Sequence, residues 1–388
     1  MKRVRLLAVL VLVGLLGACA STPPPEAPGP PPGLFIDNAF DPPSQPIDAR
    51  EVFALSPAMK RYLEVEIAPQ LRSMGLQRGL VDALHSKAKL RLDYDTEVTR
   101  TAAEAFDARA GNCLALVVMS AALAKHLELP IQFQALIGQE TWSRSGDLSF
   151  VNGHVNITVA RRLIDRLAAV DAKTDLRLDF GALAAGRGSL LQVVSEATIV
   201  SMFMNNRAAE SLVRGEIANA YAYARQAVVQ APDFAGAYNT LGVVYQRRGL
   251  ATAAERAYRH ALERDAVHLA AMLNLARLLE GEGRSAEAAP WHSKLAKLEA
   301  EPPFHHFDLG RAAAQAGDFK AARTHILREM RRDPDYHEFH FWLAVSLYGL
   351  GEVEQARSHL TLAMNNSTTR REQSLYASKL QSLATRTQ

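Results

Sequence analysis

Cys19 and Cys113 are the only thiols in 388 residues, so the chain can build neither a disulfide-rich scaffold nor a cysteine-based zinc cluster. Cys113 follows Gly111-Asn112, a turn ending in a helix-capping residue type, and precedes the largely apolar run from Leu114 to Leu127. The thiol therefore stands at or beside the first turn of a buried helix. Free backbone N–H groups and the positive end of the helix dipole favour a thiolate there. A thiolate is a nucleophile, and it needs a base to take its proton and a group to hold that base. His154, in Asn152-Gly153-His154-Val155-Asn156-Ile157, and Asp179, in Leu176-Arg177-Leu178-Asp179-Phe180, follow Cys113 in the chain.

The elements that must position these residues lie between Ile47 and Ala197, enough chain for one compact domain. Asp48 to about Lys89 reads as helical, with apolar residues such as Val52, Leu55, Leu63, Ile67, Leu71, Leu80 and Leu84 at helix-like spacings; Pro57 and Pro69 break it into pieces. After Pro130 the pattern turns to alternation. Gln132 to Ile137, Phe150 to Val159 and Leu176 to Phe180 read as strands, with His154 on one face of the second and Asp179 on the third. Asp165, Asp171 and Asp175 lie in the interval as well, but Asp179 alone has strand context.

The order of thiol helix, histidine strand and aspartate strand, with the motifs GNCLAL, HVN and LDF, resembles the transglutaminase-like branch of the papain-like cysteine enzymes. The resemblance covers roughly Ala102 to Phe180. It implies a catalytic set of Cys113, His154 and Asp179. His154 would take the Cys113 proton, Asp179 would hold the imidazole in its useful tautomer, and the thiolate would attack an amide carbonyl to give an acyl-enzyme. The backbone N–H of Cys113 is a candidate oxyanion donor. Some members of that superfamily have lost the triad and only bind.

The N-terminus reads as an address. Lys2, Arg3 and Arg5 precede thirteen apolar residues, Leu6 to Ala18, too few to span a bilayer, which takes about 20. Leu16-Gly17-Ala18-Cys19 resembles the lipobox of bacterial lipoproteins, which implies a signal peptide over 1–18 and a diacylglycerol on Cys19. Ala20 in place of Asp implies sorting to the outer membrane of a Gram-negative cell, facing the periplasm. Ten prolines from Thr22 to Pro46 point to a stiff, solvated tether over 19–46.

The C-terminal half is periodic. Gly215, Gly249, Gly283, Gly317 and Gly351 are spaced by 34 residues, and Ala220, Ala254, Ala288, Ala322 and Ala356 follow them five residues on. Leu241, Leu275, Leu309 and Leu343 stand eight residues before the last four glycines, each followed by Gly or Ala. This is similar to the tetratricopeptide repeat (TPR), as five units over 201–370, with Arg207 at the leucine position of a degenerate first unit. A polar capping helix is expected over 371–388, most clearly Glu372 to Ala384. The family's groove-facing position is Asn205, Asn239, Leu273, Phe307 and Phe341. With Phe304, His305, His306, His337, His340 and Trp342 nearby, an aromatic patch for a partner's apolar side chains is expected in the last two units; the other reading is that these rings pack between helices.

The fold class read from the sequence is thus an α+β transglutaminase-like domain, 47–197, followed by an all-α TPR solenoid. Lys and Arg number 44 against 41 Asp and Glu, a balance that demands neither nucleic acid nor an acidic partner. No nucleotide loop or metal motif is visible, so no metal and no cofactor are expected. Two functions stay open: an envelope lipoprotein acting on protein or peptide amides, with its substrate or partner held by the repeats, and a non-catalytic scaffold that binds other envelope proteins through both domains.

Overall fold

The computed structural model describes residues 29–85, 90, 92–95, 98–137, 141–145, 148–162, 175–180, 190–298, 304–367 and 370–386. The expected signal peptide and Cys19 lie outside the described residues, as do Asp165 and Asp171.

The N-terminal domain opens with short helices whose starts are set by their caps. A 3₁₀ turn at Ala49–Phe53 is capped by Asp48, and α1 (Pro57–Arg61) is capped by Ser56, with Pro57 at its first position. A π-helical turn at Tyr62–Glu66 leads to α2 (Ala68–Met74) and α3 (Leu76–His85). Pro57 and Pro69 thus start helices here, where a missing N–H costs nothing. The two-residue strand β1 (Asp93–Tyr94) is followed by α4 (Ala102–Ala108), whose Thr101 and Glu104 form a capping box. Next, β2 (Ala110–Gly111) pairs parallel with β1 and runs into α5 (Cys113–His126). Every α5 residue from Leu114 to Ala124 is buried, so this helix is core on all sides.

Six further strands follow: β3 (Ile131–Ile137), β4 (Thr141–Ser145), β5 (Leu148–Asn152), β6 (Val155–Val159), β7 (Leu176–Leu178) and β8 (Leu190–Val194). Four of them form an antiparallel sheet in the order β7-β6-β3-β8, while β4 and β5 pair as a separate hairpin. The expected strand Phe150–Val159 is therefore two strands broken at Gly153-His154, and His154 stands in the break and not on a strand face. Asp179 likewise sits just past the end of β7. A residue outside the ladder can aim its side chain at a neighbour above the sheet instead of at the next strand. β6 is wholly core-facing against α5, with Val155, Ile157 and Val159 buried.

The repeats follow as helix pairs: α6 (Glu196–Val213) with α7 (Ile217–Gln230), α8 (Ala235–Arg247) with α9 (Ala251–Arg264), α10 (Leu269–Gly281) with α11 (Ser285–Leu298), α12 (His305–Gln315) with α13 (Phe319–Glu329), and α14 (His337–Gly349) with α15 (Val353–Asn366). A last helix, α16 (Arg370–Arg386), packs on α15 and starts one residue before the expected cap. The five spaced glycines all adopt positive φ, from 74° to 82°, and end the first helix of each pair. At Gly249 the following N–H, on Leu250, reaches back to the Tyr245 carbonyl at 2.9 Å, the C-terminal closure that a left-handed glycine allows. Gly242 has another reason to be small: a Cβ there would stand 2.4 Å from the Tyr258 ring.

Two sequence expectations are corrected by the packing. The tether was expected to be solvated as far as Pro46, yet from Leu34 the chain is laid onto the first two repeats. Leu34 is buried, and its carbonyl accepts a hydrogen bond from the Tyr245 hydroxyl at 2.7 Å. Asp37 accepts from the Tyr221 hydroxyl at 2.7 Å and from Arg225 at 3.0 Å, and the Phe40 ring stacks on Tyr221 at 3.9 Å. The segment Leu34-Phe35-Ile36-Asp37-Asn38-Ala39-Phe40 holds no proline and carries four large apolar side chains, enough to outweigh the stiffness of its surroundings. Phe304 and Phe307, expected to line a groove, are 4% and 0% exposed. They pack against Phe339, Leu343 and Ile326 in a core of their own, so they hold the last two repeats together.

Two histidine pairs bridge the helices of those repeats at equivalent positions 34 residues apart. His306 Nδ1 lies 3.1 Å from His325 Nδ1, and His340 Nδ1 lies 3.0 Å from His359 Nδ1. Each pair requires one ring nitrogen to donate and the other to accept. Burial holds His340 and His359 below the ordinary histidine value, Asp333 and Asp335 opposing it at His340. The unfolded chain takes up protons near about pH 6.5, before these folded rings do, so stability is present above that pH and falls as pH drops through it. We expect denaturant unfolding of the C-terminal repeats to weaken from pH 7 to pH 5, by up to about 1.4 kcal/mol per pH unit per extra proton bound. The slope should flatten in His359→Gln; an unchanged slope would contradict this origin.

Candidate active site

Cys113 is the first residue of α5 and is half-buried. Its place is set by Asn112, whose side-chain oxygen accepts the Ala115 N–H at 2.9 Å, and by the β1–β2 pairing, which sets Tyr94 opposite Gly111. A Cβ on Gly111 would come within 2.9 Å of the Ala115 side chain, so the close approach of β2 to α5 needs glycine.

His154 is 4% exposed. Its carbonyl accepts from the Leu136 N–H at 2.9 Å, which ties the break between β5 and β6 to β3. Its Nε2 meets Asp179 Oδ1 at 2.5 Å. Phe180, next to Asp179, stacks on His85 at the end of α3, and Gln77 of α3 donates to the Val159 carbonyl at 2.7 Å; α3 thus braces both β6 and β7.

Cys113 is near enough to the same imidazole to act on its proton affinity. Burial alone would lower the His154 pKa, but the hydrogen bond and charge of Cys113, followed by those of Asp179, outweigh it and push the ring up to about 9. Because the folded value is raised, the stability this ring contributes is present below about pH 6.5 and lost as pH rises through about 9. At neutral pH an imidazolium therefore stands between a sulfur and a carboxylate, three side chains spread over 67 positions of sequence. Asp175, the other described aspartate of the interval, is exposed.

Sequence reasoning missed Tyr94. Its ladder partner is Gly111, two residues before Cys113, which brings the phenol near the thiol while the residue stays 45% exposed. Burial, then the charge of Cys113, drive this phenol well above its usual range, so it remains protonated. The only signal in the sequence was a tyrosine in a short extended segment, which has no meaning until β1 is paired with β2.

The expected groove positions Asn205, Asn239 and Phe341 are half-buried, on repeats 1, 2 and 5. Asn239 accepts a hydrogen bond from Asn274 at 2.9 Å, and Asn205 is half-buried with its side-chain oxygen enclosed. Phe341 stacks on Tyr376 of the last helix. No described helix is long and apolar enough to cross a membrane.

A family model described as a tetratricopeptide repeat matches residues 239–302 and 307–364. Among solved structures, YrrB, a TPR protein with an unusual peptide-binding site, is 20% identical with a TM-score of 0.25, over 46% of this chain and 92% of that one. PilF of Pseudomonas aeruginosa is 22% identical with a TM-score of 0.28, over 46% and 82%, and the MamA protein is 14% identical with a TM-score of 0.25, over 43% and 91%. No curated protein matches the chain. The C-terminal part of the chain is thus built of tetratricopeptide repeats.

Proposed function

We propose that this chain is an envelope lipoprotein whose N-terminal domain is a transglutaminase-like cysteine enzyme acting on amides of a protein or peptide, with a repeat array that binds a protein partner. The observation that carries the reading is one imidazole bound to Asp179 through Nε2 and near enough to Cys113 for the thiol to act on its proton affinity. Nucleophile, base and orienting carboxylate are then in the relation that acyl transfer needs.

His154 takes the Cys113 proton, and the sulfur attacks the amide carbonyl carbon. The developing oxyanion accepts from the Cys113 N–H and from the nearby Tyr94 hydroxyl. His154 returns the proton to the departing amine as the C–N bond breaks. Water or a second amine, deprotonated by the same ring, then attacks the thioester and releases the sulfur. The aspartate keeps the imidazole oriented throughout. Diacylglycerol on Cys19 would anchor the protein in the outer membrane, facing the periplasm. The repeats are the binding half of this reading, since arrays of paired helices present extended surfaces to other proteins.

Turnover tests it. Blocked peptides carrying glutamine side chains and internal amides, incubated with hydroxylamine as acceptor, should give hydroxamate or cleaved product with the wild type. Cys113→Ser should lower that rate by at least about 10³-fold. Absence of any acyl product, with partner capture from envelope extracts intact in both proteins, would leave the non-catalytic scaffold.

A further inference from the structure

The first repeat departs from its own pattern at two positions on α6. Arg207 stands where later units have Leu241, Leu275, Leu309 and Leu343, and Glu210 stands where they have Val244, Leu278, Ala312 and Ser346. Arg207 lies over the Tyr223 ring of α7, and both side chains also reach out of the repeat. Glu210 Oε1 accepts the Thr99 N–H at 2.7 Å, and Arg207 donates to the Thr99 carbonyl at 3.3 Å. Both backbone groups of one residue in the N-terminal domain are therefore held by a repeat helix.

Thr99 is 1% exposed and passes the contact on. Its hydroxyl accepts from Asn112 Nδ2 at 2.9 Å. Asn112 is the N-cap of α5, with its Oδ1 on the Ala115 N–H at 2.9 Å. Two hydrogen bonds on one buried residue thus join the cap of the nucleophile helix to a carboxylate in the repeat array, Asn112 to the Thr99 hydroxyl and the Thr99 N–H to Glu210.

We propose that Glu210 is a positioning residue for Cys113, joining the repeat array to the reacting thiol through Thr99 and Asn112. The proposal rests on the reading of Cys113 as nucleophile. α6 also packs against α7 and α8, which receive the N-terminal segment, so a partner that displaces these helices acts on the cap of α5. The repeats then regulate the thiol as well as hold a partner.

The test is the rate of Cys113 alkylation by iodoacetamide against pH in the full chain, with melting midpoints measured in parallel. Glu210→Gln keeps an acceptor for Thr99 and should remain within a few-fold of the wild type. Glu210→Leu should slow alkylation about tenfold and displace the pH profile, since small misplacements at a reacting centre carry costs of that order. Thr99→Val, which leaves Glu210 and Arg207 in place, should reproduce the displaced profile and serves where Glu210→Leu folds poorly. Wild-type profiles in both Glu210→Leu and Thr99→Val would overturn the coupling while leaving the nucleophile intact. A wild-type profile in His154→Ala would instead show that the nucleophile reading itself, and the coupling with it, has failed.

Discussion

Replacing His154 with Ala should lower the rate of Cys113 alkylation by iodoacetamide at pH 7 about 10²-fold, the lower end of what a positioned acid–base group contributes. The ring interacts with Cys113 and holds a carboxylate on its Nε2. With the ring pushed up to about 9, the sulfur keeps a cationic neighbour through the neutral range, and the wild-type rate should hold nearly level there. In His154→Ala that neighbour is gone, and the rate should climb steadily with pH. Asp179→Asn should fall between the two, because the ring remains but its orientation and charge are no longer backed. Equal rates in the wild type and His154→Ala would remove the case for an activated thiol, whatever else the domain does.

The largest stability effect is expected far from that site. Glu329 is 3% exposed, and its carboxylate accepts three backbone N–H groups: Phe304 at 3.0 Å, His306 at 2.9 Å and Phe307 at 3.2 Å. These are orphan donors at the start of α12, whose own N-cap, Phe304, sits at a left-handed φ of 64° and supplies no side-chain bond. Arg332 approaches Glu329 only to 4.0 Å, so the helix end is the carboxylate's main partner. Glu329→Ala would bury three unpaired donors next to the Phe304, Phe307 and Phe339 cluster. We expect a loss of about 3–5 kcal/mol in denaturant unfolding of the C-terminal repeats, and a smaller one in Glu329→Gln, which retains one acceptor oxygen. A loss below about 1 kcal/mol in Glu329→Ala would show that water reaches the helix end and replaces the side chain.

The two tests bear on separate packing units. One apolar cluster runs from Leu34 through α5 and the sheet into the third repeat at Ala288, and a second runs from Phe304 to Tyr376. The candidate enzyme domain and the first three repeats thus share a core, and this is why a residue of the first repeat can reach the cap of the thiol helix. The degenerate character of Arg207, read from sequence as the mark of an end unit, is better explained by its contact with Thr99.

Features that repeat, or that depend on neighbours a few positions away, were legible in the chain of letters. The glycines at 34-residue spacing mark helix ends because a left-handed residue is needed within one turn of each. Asn112 before an apolar run announced a capped, buried helix with Cys113 at its start, since a cap and its N–H lie three residues apart. The choice of Asp179 among four aspartates drew on one short strand, and its contact with His154 arises from β6–β7 pairing across 25 residues. Other features were out of reach. That Leu34 to Phe40 leaves the tether and docks on repeats 1 and 2, that Phe304 and Phe307 turn inward, that Tyr94 meets Cys113, and that Glu329 caps a helix 25 residues before it all depend on which surfaces meet. Local geometry repeats every few residues and leaves its period in the sequence, whereas a contact between distant segments is set by the free energy of burying them together and leaves no spacing to read.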